Sequence, residues 1–206
     1  MTVMKILMIT AILGHLLCGY CDCLMIYTPS GKFGFQQMKD GNRMRETFRS
    51  VPLRNPMRSI MLGVLALFLC FGGYYSLCLW MRQFSVPASV LMLTGIVLFF
   101  IPGTAHHVIC GVAEWFYIRM GMTEEARKAI TEFFRKTAAT MIACYLGLIL
   151  FSAVLFFVVV TGRTSLPARS CVFNVLLIAS VLFPMRIGGA ANWAGASMFL
   201  GLLFVL

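Results

Sequence analysis

Charge is scarce in this sequence, and negative charge scarcest of all. Seven Asp and Glu stand against 17 Lys and Arg among 206 residues, and charged residues make up only 12% of the chain. Soluble domains carry about 25% charged and roughly 45–50% apolar residues. Here 60% are apolar and the mean hydropathy is +0.89. That composition excludes an ordinary soluble domain. One membrane bundle uses up the length, so residues 1–206 read as a single integral membrane domain with no separate soluble unit. No basic patch interleaved with stacking aromatics is present. The net charge of +10 therefore implies no nucleic-acid partner.

What is present is a series of apolar runs. Spans are expected near residues 4–27, 59–81, 86–118, 138–161, 170–184 and 190–206. The first is read as a span and not a cleaved leader, because His15 interrupts it and it continues through Cys23 to Tyr27. The third run is 33 residues long and contains Pro102-Gly103. A straight helix of that length, about 50 Å against a hydrocarbon core of about 30 Å, either projects into the cytoplasm or is divided by Pro102-Gly103. Proline inside a helix removes a hydrogen bond and clashes with the preceding turn, so a kink or break is expected at 102–103. A second Pro/Gly break at 184–189 suggests two inverted halves of three spans. The fourth run is the most uniformly apolar and is expected to be the most exposed to lipid. Thr123 should cap a helix that begins with Glu124 and Glu125 and runs on into this span, with Glu124–Lys128 and Glu132–Lys136 as i,i+4 pairs. Gly63, Gly72 and Gly73 on the second span permit close helix contact. Tyr74, Tyr75 and Trp80 should join an aromatic belt at its far end. The fold class is thus all-α, a polytopic helical membrane bundle of about six transmembrane helices.

Charge sets the threading. The gaps after spans one, three and five hold 13 Lys and Arg, against 4 in the N-terminus and the gaps after spans two and four. By the positive-inside rule the basic gaps are cytoplasmic and both termini extracytoplasmic. The expected partner is the lipid bilayer, and the expected location a cell membrane, the bacterial inner membrane being favoured. Residues 28–58 contain Phe33, Phe35, Met38, Met44 and Phe48 among seven Lys and Arg. This segment is either an ordinary cytoplasmic loop or an amphipathic piece lying on the membrane surface.

A few polar residues sit where polarity is expensive. Ionisable groups at membrane depth face a bundle interior or a wet cavity. His15, Cys18 and Asp22 form one stripe on the first span, at i, i+3 and i+7. Asp22 is either a solvated carboxylate at the interface or a buried acid paired to His107. On the third span His107 and Glu114 are seven residues apart and share a face. The plain structural reading of His107 is a neutral imidazole bonded to a carbonyl freed by Pro102. Adjacent His106 and His107 diverge by about 100° on a helix and cannot both ligate one ion. His15, Cys18, Asp22 and His107 could supply four ligands, but no spacing enforces it, so no metal and no cofactor are expected. The eight cysteines read as small buried side chains, not a disulfide framework. Asn192 and Trp193 open the sixth span, and Arg186 could snorkel or meet an anionic head group.

Gly14 with Asp22 in GHLLCGYCD, His107 in the third run, and Asn192 after Pro184 together resemble an uncharacterised family of bacterial multi-pass membrane proteins, a domain of unknown function. The resemblance implies about six helices and supplies no activity. A fainter likeness is to the membrane sterol-isomerase-like fold. It implies that His107, Glu114, Asn192 and Trp193 face a cavity for a lipophilic substrate. The leading functional expectation is binding or translocating a small or lipophilic molecule at a polar centre of Asp22, His107 and Asn192. In it Asp22 and His107 exchange a proton, Asn192 orients the ligand and Glu114 closes the site. The competitors are a membrane enzyme with His107 and Glu114 as acid and base, and a structural subunit whose polar residues only join helices.

Overall fold

The computed structural model describes residues 3–206. Its elements, in order, are α1 (Val3–Ile26), a two-stranded antiparallel hairpin of β1 (Tyr27–Thr28) and β2 (Gly31–Lys32), a 3-10 turn (Phe35–Lys39), α2 (Gly41–Phe48), α3 (Arg54–Met81), α4 (Val86–Arg119), α5 (Glu124–Val160), a second 3-10 turn (Ala168–Phe173), α6 (Val175–Leu182) and α7 (Ala190–Val205). The architecture is an all-helical bundle. Among the described residues four helices, α1, α3, α4 and α5, are long and apolar enough to cross a membrane.

The helix ends follow their local chemistry. Ser85 accepts from the Ala88 N–H to start α4, with a proline in its first turn. Thr123 accepts from the Ala126 N–H to start α5, and Glu124 and Glu125 follow at the positive end of the dipole. Glu132 meets Lys136 at 2.7 Å as expected, but Glu124 pairs with Arg127, one residue short of Lys128. Between α4 and α5 the chain turns through Gly121 and Met122 in the left-handed region.

Sequential long helices pack antiparallel, and small residues set the spacing. A Cβ on Gly14 would lie 2.7 Å from the Ala66 carbonyl of α3. A Cβ on Gly147 of α5 would lie 2.5 Å from the Gly95 carbonyl of α4. Helix α7 returns along α1, with Gly195 against His15 and Gly189 against Gly19. As a result the basic segments 28–53, 119–123 and 183–189 gather at one end of the bundle, and the N-terminal end of α1 and the C-terminal end of α7 share the other.

Several expectations change. Helix α4 runs unbroken through Pro102. At about 1.5 Å per residue its 34 residues reach about 51 Å. The turn before Pro102 packs closely on α5 at Gly147, whose Cβ would lie within 2.7 Å of Leu98 and Phe99 backbone atoms. The symmetry between two broken spans disappears with the break. The fifth expected span is a 3-10 turn followed by an α6 of eight residues, about 12 Å long. Asn174 causes the switch: its Oδ1 caps Leu176 N–H, and its Nδ2 donates to the Ser152 carbonyl of α5. Helix α5 has the most apolar window, yet 39% of that window is buried against 28% for α4, so α4 is the more exposed.

Tyr74 is fully buried and does not join a belt. It sits among Phe99, Phe100, Phe151 and Phe199, with ring centroids 4.9–5.7 Å away. Residues 28–53 form a cap on the protein itself. Met38, Met44 and Phe48 bury against Ala113 and Tyr117 of α4 and Ala126 and Ile130 of α5. Arg127 fastens the cap by donating to the Met38 carbonyl, and Arg45 by donating to the Met122 carbonyl.

Candidate functional site

Under this cap, between α1, α4, α5 and the 183–189 turn, lies a cavity of about 440 Å³. Its walls are mostly apolar and aromatic. Asp22, His107, Glu114 and Asn192, the four residues singled out from the sequence, all line it. Lys32 and Arg186 are the cationic lining residues. Arg186 adopts the left-handed backbone region, at φ 54°.

Three of the four polar residues meet. Asn192 at the start of α7 donates from Nδ2 to Asp22 Oδ2 at 2.9 Å. Asp22 Oδ1 stands 3.8 Å from His107 Nδ1. His107 reaches across to α3, where its Nε2 is 3.0 Å from the Ser59 carbonyl. A carbonyl only accepts, so Nε2 carries hydrogen and donates to it. This partner is not a carbonyl freed by Pro102, since Ser59 belongs to another helix. The imidazole fits there because residue 63 is glycine: a Cβ would lie 2.0 Å from Nε2.

The same amide links a second histidine. Because its Nδ2 faces Asp22, Asn192 Oδ1 faces His15 Nδ1 at 3.0 Å and accepts from it. His15 Nε2 is then the acceptor for the Tyr74 hydroxyl at 3.2 Å. The chain Tyr74–His15–Asn192–Asp22 therefore runs one way, ending on the carboxylate. His15 is 2% exposed and packs against Gly195 and Phe199, so it belongs to the helix joint and does not line the cavity.

Glu114 lies two turns along α4 from His107, about 10 Å of rise. It is 8% exposed, and its Oε1 has no hydrogen-bond partner among the described residues. His106 turns away from His107 toward α5, with Nδ1 3.2 Å from Thr140 Oγ1 and Nε2 3.5 Å from Cys110 Sγ. Trp193 does not line the cavity. Its indole N–H donates to the Gly188 carbonyl at 2.7 Å and holds the turn into α7. That removes one of the four correspondences on which the sterol-isomerase likeness rests.

One member of the first-span stripe joins the wall without having been assigned to the polar centre. Cys18 lines the cavity beside Asp22. Two signals were present: Cys18 and Asp22 are i,i+4 on one helix, and Cys18-Gly19-Tyr20-Cys21 has the Cys-x-x-Cys spacing. In the structure Cys21 is fully buried and off the cavity wall, its carbonyl accepting from Ser59 Oγ of α3, so of this pair only Cys18 lines the cavity.

The sequence model of a family of unknown function (DUF6796) matches residues 1–206, the whole chain. No curated protein and no solved structure matches it.

Proposed function

The chain thus belongs to DUF6796, a family without an assigned activity, and from the site we propose that it is an integral membrane protein that binds a small or lipophilic molecule in the cavity beneath the cap. The observation that carries this reading is the wall of that cavity. Asp22, His107 and Asn192 lie at one place on it, and at another lies the buried Glu114, whose Oε1 has no partner among the described residues. Ligand sites are typically mostly apolar concavities of about 300–1,000 Å³ with a few convergent polar groups, and 440 Å³ falls in that range. A buried polar atom without a partner calls for one, and here the cavity is where it would come from. The ligand's polar group sits against Asn192 and Asp22, its apolar part lies along the aromatic wall, and Glu114 accepts or donates one further hydrogen bond.

In this reading the basic end faces the cytoplasm of a bacterial inner membrane, and the other end, with both chain termini, faces out. The second 3-10 turn and α6 make a short fifth pass and α7 the sixth. Binding is favoured over passage because the cavity wall at Tyr74 is backed by the rings of Phe100, Phe151 and Phe199 packed against it. The enzyme reading is weaker. An acid–base pair must reach the same substrate within hydrogen-bond range, and His107 and Glu114 stand two helical turns apart.

Mass spectrometry of lipids and small molecules retained by the detergent-purified protein tests the reading. A species retained by the wild type and depleted in Asn192→Ala and Glu114→Gln is the expected result. Identical retention in all three proteins would overturn it.

A further inference from the structure

Three side chains on the cavity wall present ligand atoms to one point. The Cys18 thiol, a carboxylate oxygen of Asp22 and a ring nitrogen of His107 all lie within 4.8 Å of one another. Cys18 and Asp22 are i,i+4 on α1, so the helix stacks them on one face. A helix supplies two ligands to a zinc ion at this same spacing. The third ligand comes from α4, across the cavity.

The protonation pattern points the same way. Because Nε2–H of His107 donates to the Ser59 carbonyl, a neutral His107 turns the lone pair of Nδ1 toward Asp22 and Cys18. Metal-bound histidines characteristically donate their remote N–H to a carbonyl or carboxylate. Asp22 is oriented likewise: Asn192 holds Oδ2 and leaves Oδ1 facing His107. Nδ1 and Oδ1 are 3.8 Å apart, too far for a hydrogen bond. With zinc–nitrogen and zinc–oxygen bonds of about 2.0–2.2 Å, tetrahedral neighbours stand about 3.3–3.5 Å apart. A closure of roughly 0.3–0.5 Å would bring the pair to that spacing. One thiolate, one carboxylate and a neutral imidazole carry two negative charges, which a divalent cation cancels in a place where net charge is costly.

We propose that Cys18, Asp22 and His107 bind a zinc ion, with Asn192 and the Ser59 carbonyl as positioning groups and the fourth coordination position open to the cavity. Three protein ligands with one open position are the arrangement of zinc sites that take an exogenous ligand, whereas closed structural sites use four. The inference rests on the ligand-binding reading only for that fourth position. The mixed sulfur, nitrogen and oxygen donors suit zinc or cobalt better than magnesium or calcium.

The test uses the full chain, purified in detergent, stripped with chelator, incubated with Zn²⁺ and desalted. Metal content is read by inductively coupled plasma mass spectrometry. About one zinc per chain is expected in the wild type and in Cys110→Ser, a cysteine of the same cavity outside the triad. Cys18→Ser and His107→Ala should retain none. Asn192→Ala should bind about 10–100-fold more weakly. Cobalt in place of zinc should give the wild type a sulfur-to-metal charge-transfer band that Cys18→Ser lacks. Absence of zinc from the wild type overturns the proposal, whatever the variants do. Equal zinc in wild type, Cys18→Ser and His107→Ala overturns it as well. Retained lipids and small molecules are read separately in the same samples. Zinc without a retained species refutes the ligand reading alone, and a retained species without zinc refutes the metal site alone.

Discussion

Gly63→Ala should unfold more readily than the wild type, although alanine is the better helix former. The added Cβ would stand 2.0 Å from His107 Nε2, 2.5 Å from Cδ2 and 2.9 Å from Cε1. Non-bonded contacts settle near 3.5 Å, so the ring must retreat by about 1.5 Å. That movement breaks the 3.0 Å bond to the Ser59 carbonyl and shifts Nδ1 against Asp22. Overpacking costs about 1–3 kcal/mol, and a buried polar group left unpaired about 1–3 kcal/mol. The alanine returns about 1 kcal/mol of helix propensity. The net is a loss of about 1–5 kcal/mol, with the middle of that range expected. Gly72→Ala is the internal comparison. Its Cβ meets only Leu7 Cδ2 at 3.1 Å, the end of a flexible side chain, so this variant should match or slightly exceed the wild type. Unfolding midpoints of the three proteins in mixed micelles decide the matter. If Gly63→Ala is as stable as Gly72→Ala, the imidazole does not sit over residue 63, and the geometry of the polar centre is wrong.

Glu114→Leu should stabilise the ligand-free protein by about 1–3 kcal/mol, because it removes a buried carboxyl oxygen without a partner; destabilisation in the same unfolding assay would mean that the carboxyl is satisfied within the protein. Trp193→Phe should cost about 1 kcal/mol through loss of the 2.7 Å bond to the Gly188 carbonyl. Since Trp193 lies off the cavity wall, zinc content should be unchanged, and a parallel loss of zinc would place it in the site. The Ser50→Cys variant, at an exposed position of the basic segment, should react with an impermeant thiol reagent there only from the cytoplasmic face. Labelling of intact cells from outside would reverse the orientation.

The polar centre was partly legible because burial in an apolar chain makes each ionisable residue conspicuous. Asp22, His107 and Asn192 stand out from their background, and the stripe of His15, Cys18 and Asp22 follows from helical geometry alone. Which member of that stripe met which partner was not legible. His15 went to Asn192 and Tyr74, Asp22 to Asn192 and His107, and Cys18 to the cavity wall. Those choices depend on rotations of α1, α4 and α7 that periodicity leaves free. Pro102 left open whether the third run is one helix or two, because the cost of proline in a helix is local and the sequence does not show what packs beside it. Met38, Met44 and Phe48 left the placing of residues 28–58 open for another reason. An amphipathic segment looks the same whether its apolar face meets lipid or the ends of two helices.

The sequence by itself determined the long apolar helices, four of them long enough to cross a membrane, and their caps, since hydropathy, length and first-turn chemistry act within a few residues. It also determined that the basic segments alternate along the chain, which antiparallel packing then brings to one end. Tertiary structure alone decided that α4 stays whole, that the fifth run divides at Asn174, and that Cys18, Asp22 and His107 converge on one point. Those outcomes turn on contacts between elements apart in sequence: Asn174 reaches the Ser152 carbonyl of α5, and an absent Cβ at Gly63 or Gly147 lets a ring or a backbone approach that any side chain would have blocked.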